Sequence, residues 1–482
     1  MFGKKSFVVL GLLLVLILAV ACASEVAPPQ APQEEVQTDE QPQEETAEEE
    51  AAAESAIEEG SVAVDSQAEI TILINDSPWF GGFEAVVEKY EADTGNVVNL
   101  DVTPFPAMRE KTANALRDPE SPYDLLGIPS DYLTEFYAGG FLTPLQEIDP
   151  TFELAPEILR YDDSLYWNEA KQWRTSDGGE LMAVSPNGNI QLLYYRADLY
   201  EEADLAPPET WDDVFAACEQ LADPPTLYGF VQRGERGNAI RFNWMPFMLG
   251  YGASIEQDPG NGDFTVTINS PEAKAALDLY IELANKCGPP NTGSIGQGDM
   301  IQLLTTGKAL HAIAVVATWG NMDNPEKSAV VGKINTAVIP RPVNGAHATA
   351  IGNWHLTIPR NLPDERKQAA LAFLNWFQSF DVQMAYAEAG GIPVRSDVFE
   401  SALANQMPHR YMKSYLDSMP HARHVLAYPE GAQVEEVLGL RLNQALIGEL
   451  TSAEALNLAA EEIHQIFVNS GYNTGLLEPL PE

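Results

Sequence analysis

Glu69–Thr103 reads EITILINDSPWFGGFEAVVEKYEADTGNVVNLDVT, and this stretch decides the fold class. Ile70–Asn75 is a short β-run that ends in the polar turn Asn75-Asp76-Ser77-Pro78. Phe83, Val86, Val87 and Tyr90 then recur at helical spacing, with Gly95 placed to cap the end. Val98, Leu100 and Val102 alternate with Asn99 and Asp101, the two-residue period of a strand. A strand, a helix and a strand in this order predict a parallel sheet with a right-handed crossover, hence an α/β architecture.

The same reading extends along the chain. Ser270-Pro271-Glu272 starts a helix with Ala273, Leu277, Tyr280 and Ala284 on one face, and Gly288-Pro289-Pro290 stops it. Pro363 opens another, with Ala369, Ala370, Phe373, Leu374 and Phe377 inward. From about Val434 to Phe467 the pattern predicts helix throughout. In open α/β sheets ligands bind beyond the carboxyl ends of strands, so strand-end loops matter. Asp76-Ser77-Pro78-Trp79 follows the first strand, and Pro129-Ser130-Asp131-Tyr132 follows Leu125–Ile128. Ala312–Val316 leads to Thr318-Trp319-Gly320, and Ala348–Ile351 leads to Gly352-Asn353-Trp354. Trp244 sits in a looser fourth place. Indole faces beside amides, hydroxyls and carboxylates suit the C–H face and hydroxyls of a pyranose. For any single tryptophan, ordinary core packing competes with that reading.

Before Glu69 the composition changes. Lys4 and Lys5 precede an apolar run from Phe7 to Ala21, too short to span a bilayer and ending at Cys22; this is the pattern of a secretory signal, residues 1–21. Residues 22–68 are rich in Glu, Gln, Ala and Pro and lack the large apolar side chains needed to repay ordering. They are expected to form an acidic tether. Of 71 acidic residues in the 482-residue chain 14 precede Glu69, as do two of 27 basic ones. The net charge of −44 disfavours nucleic acid and anionic lipid as partners. The roughly 410 residues that remain are too many for one core and suggest two lobes. Cys218 and Cys287 are the only other cysteines; in an exported chain they are either a disulfide or two buried thiols.

Leu18-Ala19-Val20-Ala21-Cys22 resembles the lipobox of bacterial lipoproteins, with Ala19 where that motif prefers Leu. Further on, Leu192–Leu199 (LLYYRADL) followed by Pro207–Asp213 (PPETWDD) is similar to a segment of extracellular solute-binding proteins of ABC importers. The likeness is to their carbohydrate-binding, maltose-binding-like branch. Thr306-Gly307-Lys308-Ala309 with Trp319-Gly320, Gly390–Arg395, and Leu450–Leu456 running into a helix resemble three more hallmarks in family order. The resemblance implies a two-lobed clamp of the periplasmic-binding-protein type with a ligand cleft between discontinuous lobes. One lobe would be residues 69–190 plus 340–388, the other 191–339 plus 389–482, with crossings near Asn187–Leu193, Ile339–Val343 and Tyr386–Ile392. It implies capture of an extracellular sugar by hinge closure and delivery to membrane permease subunits, with no cofactor and no catalysis. The chain would be a monomer outside the cytoplasm, held to the membrane only by lipid on Cys22. Asp76, Ser77, Trp79, Ser130, Asp131, Asn187 and Trp319 match contact positions of the family. Trp244, Asn353, Trp354 and Arg395 are further candidates, and Arg395 reads equally as an ion-pair residue.

Rival readings stay open at this point. An exported glycoside hydrolase needs two carboxylates about 5–10 Å apart, and no spacing picks out such a pair. Gly-x-Ser-x-Gly and His-Glu-x-x-His motifs are lacking. His421 and His424 could be two metal ligands on a helix, though no third ligand stands near them in sequence. Gly293, Gly296 and Gly298 are too irregular for a phosphate loop. Polyamines and glycerol phosphodiesters remain alternative solutes.

Overall fold

The structure, a computed structural model, describes residues 68–481. The expected signal, the lipobox cysteine Cys22 and the acidic tether up to residue 67 lie outside the described residues. The chain order begins β1 (Glu69–Asn75), α1 (Phe80–Thr94), β2 (Val97–Thr103), β3 (Leu125–Pro129), α2 (Ser130–Ala138), β4 (Ala183–Val184) and β5 (Gln191–Arg196). It continues with α3 (Trp211–Leu221), α4 (Asn238–Gly250), α5 (Pro271–Cys287), β6 (His311–Val315), β7 (Ile334–Ala337) and β8 (Trp354–Thr357). The last helices are α6 (Asp364–Phe377), α7 (Phe380–Glu388), α8 (Gly431–Leu446) and α9 (Ser452–Asn469).

Local chemistry sets these boundaries. Gly95 ends α1 at φ +74°, a left-handed conformation that a Cβ disfavours. The Ser270 hydroxyl accepts from the Ala273 N–H at the start of α5, and Pro271 fills the first turn, where its missing N–H has no partner to lose. Thr210 and Asp213 form a reciprocal capping box on α3, as do Thr451 and Glu454 on α9. The second box corrects one expectation. The helical stretch expected from Val434 to Phe467 is two helices, because Gly448 takes φ +79° and Thr451 restarts the ladder.

The sheets divide the chain into two halves. One sheet has the order β2-β1-β3-β8-β4. Its β1 pairs in parallel with β2, from Glu69 opposite Val97 to Asn75 opposite Thr103, and in parallel with β3. Strand β8 returns antiparallel between β3 and β4. The other sheet has the order β6-β5-β7, both neighbours antiparallel to β5. The chain therefore leaves the first sheet after Val184 and enters the second at Gln191, then comes back between Ala337 and Trp354. This is the two-lobed α/β clamp with discontinuous lobes. Strand β3 is buried along its whole length, as a central strand covered on both faces should be.

The first half is closely packed behind its sheet. Glycines let α1 approach Gly390-Gly391 closely: a Cβ on Gly82 would stand 2.4 Å from the Gly391 nitrogen. On the second half, α4 packs against α5 and α8, and α8 against α9. Cys218 on α3 and Cys287 on α5 are joined in a disulfide with Cα atoms 6.1 Å apart. Among the described residues no helix is long and apolar enough to cross a membrane.

Candidate functional site

The cleft is built from strand ends. Strand β1 stops at Asn75, whose side-chain amide donates to the Thr103 carbonyl at 3.1 Å, and the next residues, exposed Asp76 and half-buried Ser77, turn toward the second half. Strand β3 stops at Pro129, and α2 begins at Ser130. The Ser130 hydroxyl lies 2.7 Å from both the carbonyl and the side-chain oxygen of Asn353. Asn353 in turn donates to Ser185 at 3.2 Å, and the Ser185 hydroxyl donates to the Trp354 carbonyl at 2.7 Å. These buried bonds hold one wall of the cleft rigid.

The opposite wall is the loop before α4 and the first turns of that helix. Arg233, Arg236, Asn238 and Phe242 face the same cavity, of about 410 Å³. Asn189 joins the walls: its side chain accepts from the Ala317 N–H and donates to the Gly352 carbonyl, both at 3.2 Å. Phe105, Phe242 and Trp354 supply the aromatic surface, with Phe105 set edge-on to Trp354 at 6.1 Å. Arg241 on α4 pairs with Asp131 at 2.7 Å and also with Glu435 on α8. Asn238 donates to Glu435 at 2.9 Å. Arg233 is 6% exposed and its Nε has no partner among the described residues. Burial pulls its guanidinium down to about 10, and the Arg241 charge adds to the effect.

Of the residues singled out from sequence, the cavity brings together Asp76, Ser77, Ser130, Asp131, Asn353 and Trp354. The others are placed elsewhere. Trp79 is fully buried against Phe83, 5.8 Å between rings, and Trp244 is fully buried within α4; neither reaches the cleft. Asn187 is also fully buried and accepts from the Trp354 N–H at 3.0 Å, so it braces the wall from behind. Trp319 lines a different cavity, of about 510 Å³, beside Asp323 and Gly390. Its indole N–H donates to the Pro408 carbonyl at 2.6 Å, and the Arg410 guanidinium lies over its ring at 4.4 Å. Arg395 pairs with Glu157 and Asp397 and donates to the Gln378 carbonyl, the ion-pair alternative. Trp354 follows the two-residue strand Thr349–Ala350 and itself opens strand β8.

His421 ends a short 3-10 turn and His424 follows the two-residue strand Ala422–Arg423, so the pair is not helical. Among the described residues no group of three or more His, Cys, Asp or Glu could hold a metal ion. Sequence reasoning missed Asn189, Arg233, Arg236, Asn238 and Phe242. The available signal was the glycine-broken polar run Gln232–Asn238 after apolar Phe230-Val231.

A cavity walled by both halves, beyond the carboxyl ends of β1 and β3, is the binding-cleft geometry of a clamp. Residues 77–384 match the family described as bacterial extracellular solute-binding protein. The chain belongs to that family of binding proteins, which act outside the cytoplasm. A mannitol-binding protein of Pseudomonas aeruginosa is 23% identical over 393 residues, covering 76% of this chain and 85% of that one. The maltose-bound T. maritima MalE3 superposes with a TM-score of 0.73 at 23% identity, over 83% of this chain and all of the other. A solute-binding protein of an ABC transporter from Thermotoga lettingae, bound with α-D-tagatose, gives a TM-score of 0.70 at 25% identity over 83% of this chain and all of that one.

Proposed function

We propose that this extracellular binding protein captures a sugar or sugar alcohol between its two lobes and hands it unaltered to the permease of an ABC importer. The observation that carries the reading is the cavity of about 410 Å³ whose polar and aromatic lining comes from both halves. A ligand touching both walls favours closure, because only differential affinity shifts such an equilibrium. The mannitol, maltose and tagatose of the similar proteins support a polyhydroxylated ligand. A micromolar dissociation constant, about −8 kcal/mol, suffices for scavenging and still permits release.

In this reading one lobe is 69–190 plus 340–388 and the other 191–339 plus 389–482, with two adjustments suggested by contacts. The pairing of Thr349-Ala350 with Ala422-Arg423 moves the second crossing to about residue 351. The bonds from Leu159 to Val394 and from Gly188 to Ile392 move the third beyond Arg395. Lipid on Cys22 and the acidic segment after it would hold a monomeric clamp near the membrane and clear of its surface. A thermal-shift series of the purified full chain with mannitol, tagatose, maltose, maltotriose, putrescine and glycerophosphocholine tests the reading. The expected result is a melting temperature that climbs with the concentration of one sugar or polyol. A shift with putrescine or glycerophosphocholine alone, or release of monosaccharide from maltotriose, overturns it.

A further inference from the structure

Arginines in this acidic chain divide sharply by location. Those away from the interlobe cavities sit in ion pairs, except Arg117 and Arg423, which are exposed. The arginines that line the cleft, Arg233 and Arg236, form no ion pair among the described residues; Glu235 acts on Arg233 without touching it, and Arg233 donates to the Asn238 side chain at 3.3 Å. A second cavity of about 490 Å³, walled by residues 160–175, 256–259 and 424–427, repeats the pattern with Arg160 and Arg174. The two cavities share a wall, since Arg174 donates to the Ser130 carbonyl at 3.3 Å while Ser130 and Asp131 line the cleft. Arg174 is 4% exposed, and its second terminal nitrogen has no partner among the described residues.

Most nearby carboxylates are engaged or neutral, and the two that are not, Asp76 and Glu235, are exposed to solvent. Asp131 is held by Arg241. Asp162 accepts from the His424 N–H at 3.1 Å, and Asp163 accepts from Ser176 at 2.7 Å. Burial raises Glu256 to about 8, so it offers Arg174 little charge at neutral pH. Glu235 is exposed at the cleft rim without an ion-pair partner among the described residues. Tyr161, Asp162 and Asp163 all take positive φ, 47° to 57°, a costly backbone for non-glycine residues that recurs at ligand sites. A buried guanidinium left unpaired is expensive, and a chain with this excess of acids had partners available for it.

Resting on the sugar-binding reading above, we infer that the bound carbohydrate is anionic, its carboxylate or phosphate oxygens pairing with Arg233 and Arg236 in the cleft and with Arg174 next door. Fork-shaped donors select planar or multi-oxygen anions. A neutral sugar would leave the unpartnered nitrogens of Arg233 and Arg174 without a charged acceptor in direct contact.

Calorimetry of the purified full chain with matched pairs tests this: galacturonate against galactose, glucuronate against glucose, and glucose 6-phosphate as a third arm, at low and high salt. The expected result is at least about tenfold tighter binding of the charged member, a gap that narrows with salt. Arg236→Gln, at an exposed position, and Arg233→Lys should each shrink the ratio between charged and neutral members, with unliganded melting temperatures reporting the fold. Preference for the uronates identifies a carboxylate, and preference for glucose 6-phosphate identifies a phosphate. Equal or tighter binding of neutral sugars overturns the inference and leaves sugar capture standing. Absence of binding by every sugar, charged or neutral, overturns the sugar reading itself.

Discussion

The guanidinium of Arg241, fully buried on α4, donates at 2.7 Å to the carboxylate of Asp131 in the first turn of α2. One ion pair thereby joins the half built on the five-stranded sheet to the half built on the three-stranded sheet. Glu435 of α8 shares the same guanidinium. Both carboxylates depend on one cation, so Arg241→Gln should destabilise the protein by about 3 kcal/mol, the range for stranding one side of a buried pair. Urea unfolding of the variant measures it; a loss below about 1 kcal/mol would mean water already solvates the acids.

The tryptophans separate two roles. Trp354 lines the cleft, whereas Trp319 is clamped between Arg410 and the Pro408 carbonyl. Trp354→Ala should weaken binding of the cognate sugar by about 2 kcal/mol or more, as for buried aromatic anchors. Trp319→Ala should instead lower stability by about 3 kcal/mol with a smaller effect on affinity. Calorimetry and urea unfolding on the two variants check the assignment, and the reverse pattern would return Trp319 to the binding surface.

Legibility from sequence followed how local the physics was. Strand β1 was readable as a short apolar run, β2 by its alternation and α1 by helical spacing, although Val102 at the end of β2 faces solvent. The break before α9 was written in Gly448 and Thr451 but was hidden by apolar residues that keep helical phase across it. The strand-end rule picked out Asp76, Ser130 and Asn353, which line the cavity. Trp79, also at a strand end, and Trp244, the looser case, lie in the core, because a large apolar ring at a strand end or on a helix is equally able to turn inward. Arg233 and Asn238 escaped notice because their place in the cleft depends on how the loop before α4 is brought against the other half. No short-range pattern encodes that approach.

Stability should depend on pH through Glu256. Burial raises its carboxyl from 4.5 to about 8 in the folded protein, so the folded state resists ionisation that the unfolded chain accepts. Its contribution is full below about pH 4.5, declines as pH rises, and is gone above about pH 8. Glu256→Gln should therefore be more stable than the parent at pH 8 and show no such gain at pH 4. Urea midpoints at both pH values provide the check, and an equal gain at pH 4 would rule out titration as its cause.

Close backbone contact makes Gly82 sensitive. A Cβ there would stand 2.4 Å from the Gly391 nitrogen and 2.6 Å from its Cα, atoms of main chain that cannot swing aside. Gly82→Ala should cost about 1–3 kcal/mol by overpacking, whereas alanine at Gly81, where no atom lies within 4 Å, should be neutral or better. Thermal melts of the two variants compare them directly.

Removing the cystine should cost roughly 4 kcal/mol by loop entropy for its 69-residue span. Unfolding of Cys218→Ser/Cys287→Ser tests the size. Both sulfurs belong to helices of a single lobe, α3 and α5, so the covalent staple hardens one jaw and places no tether across the gap. Opening and shutting are therefore mechanically independent of thiol chemistry. Reducing the crosslink would weaken that jaw without jamming the trap.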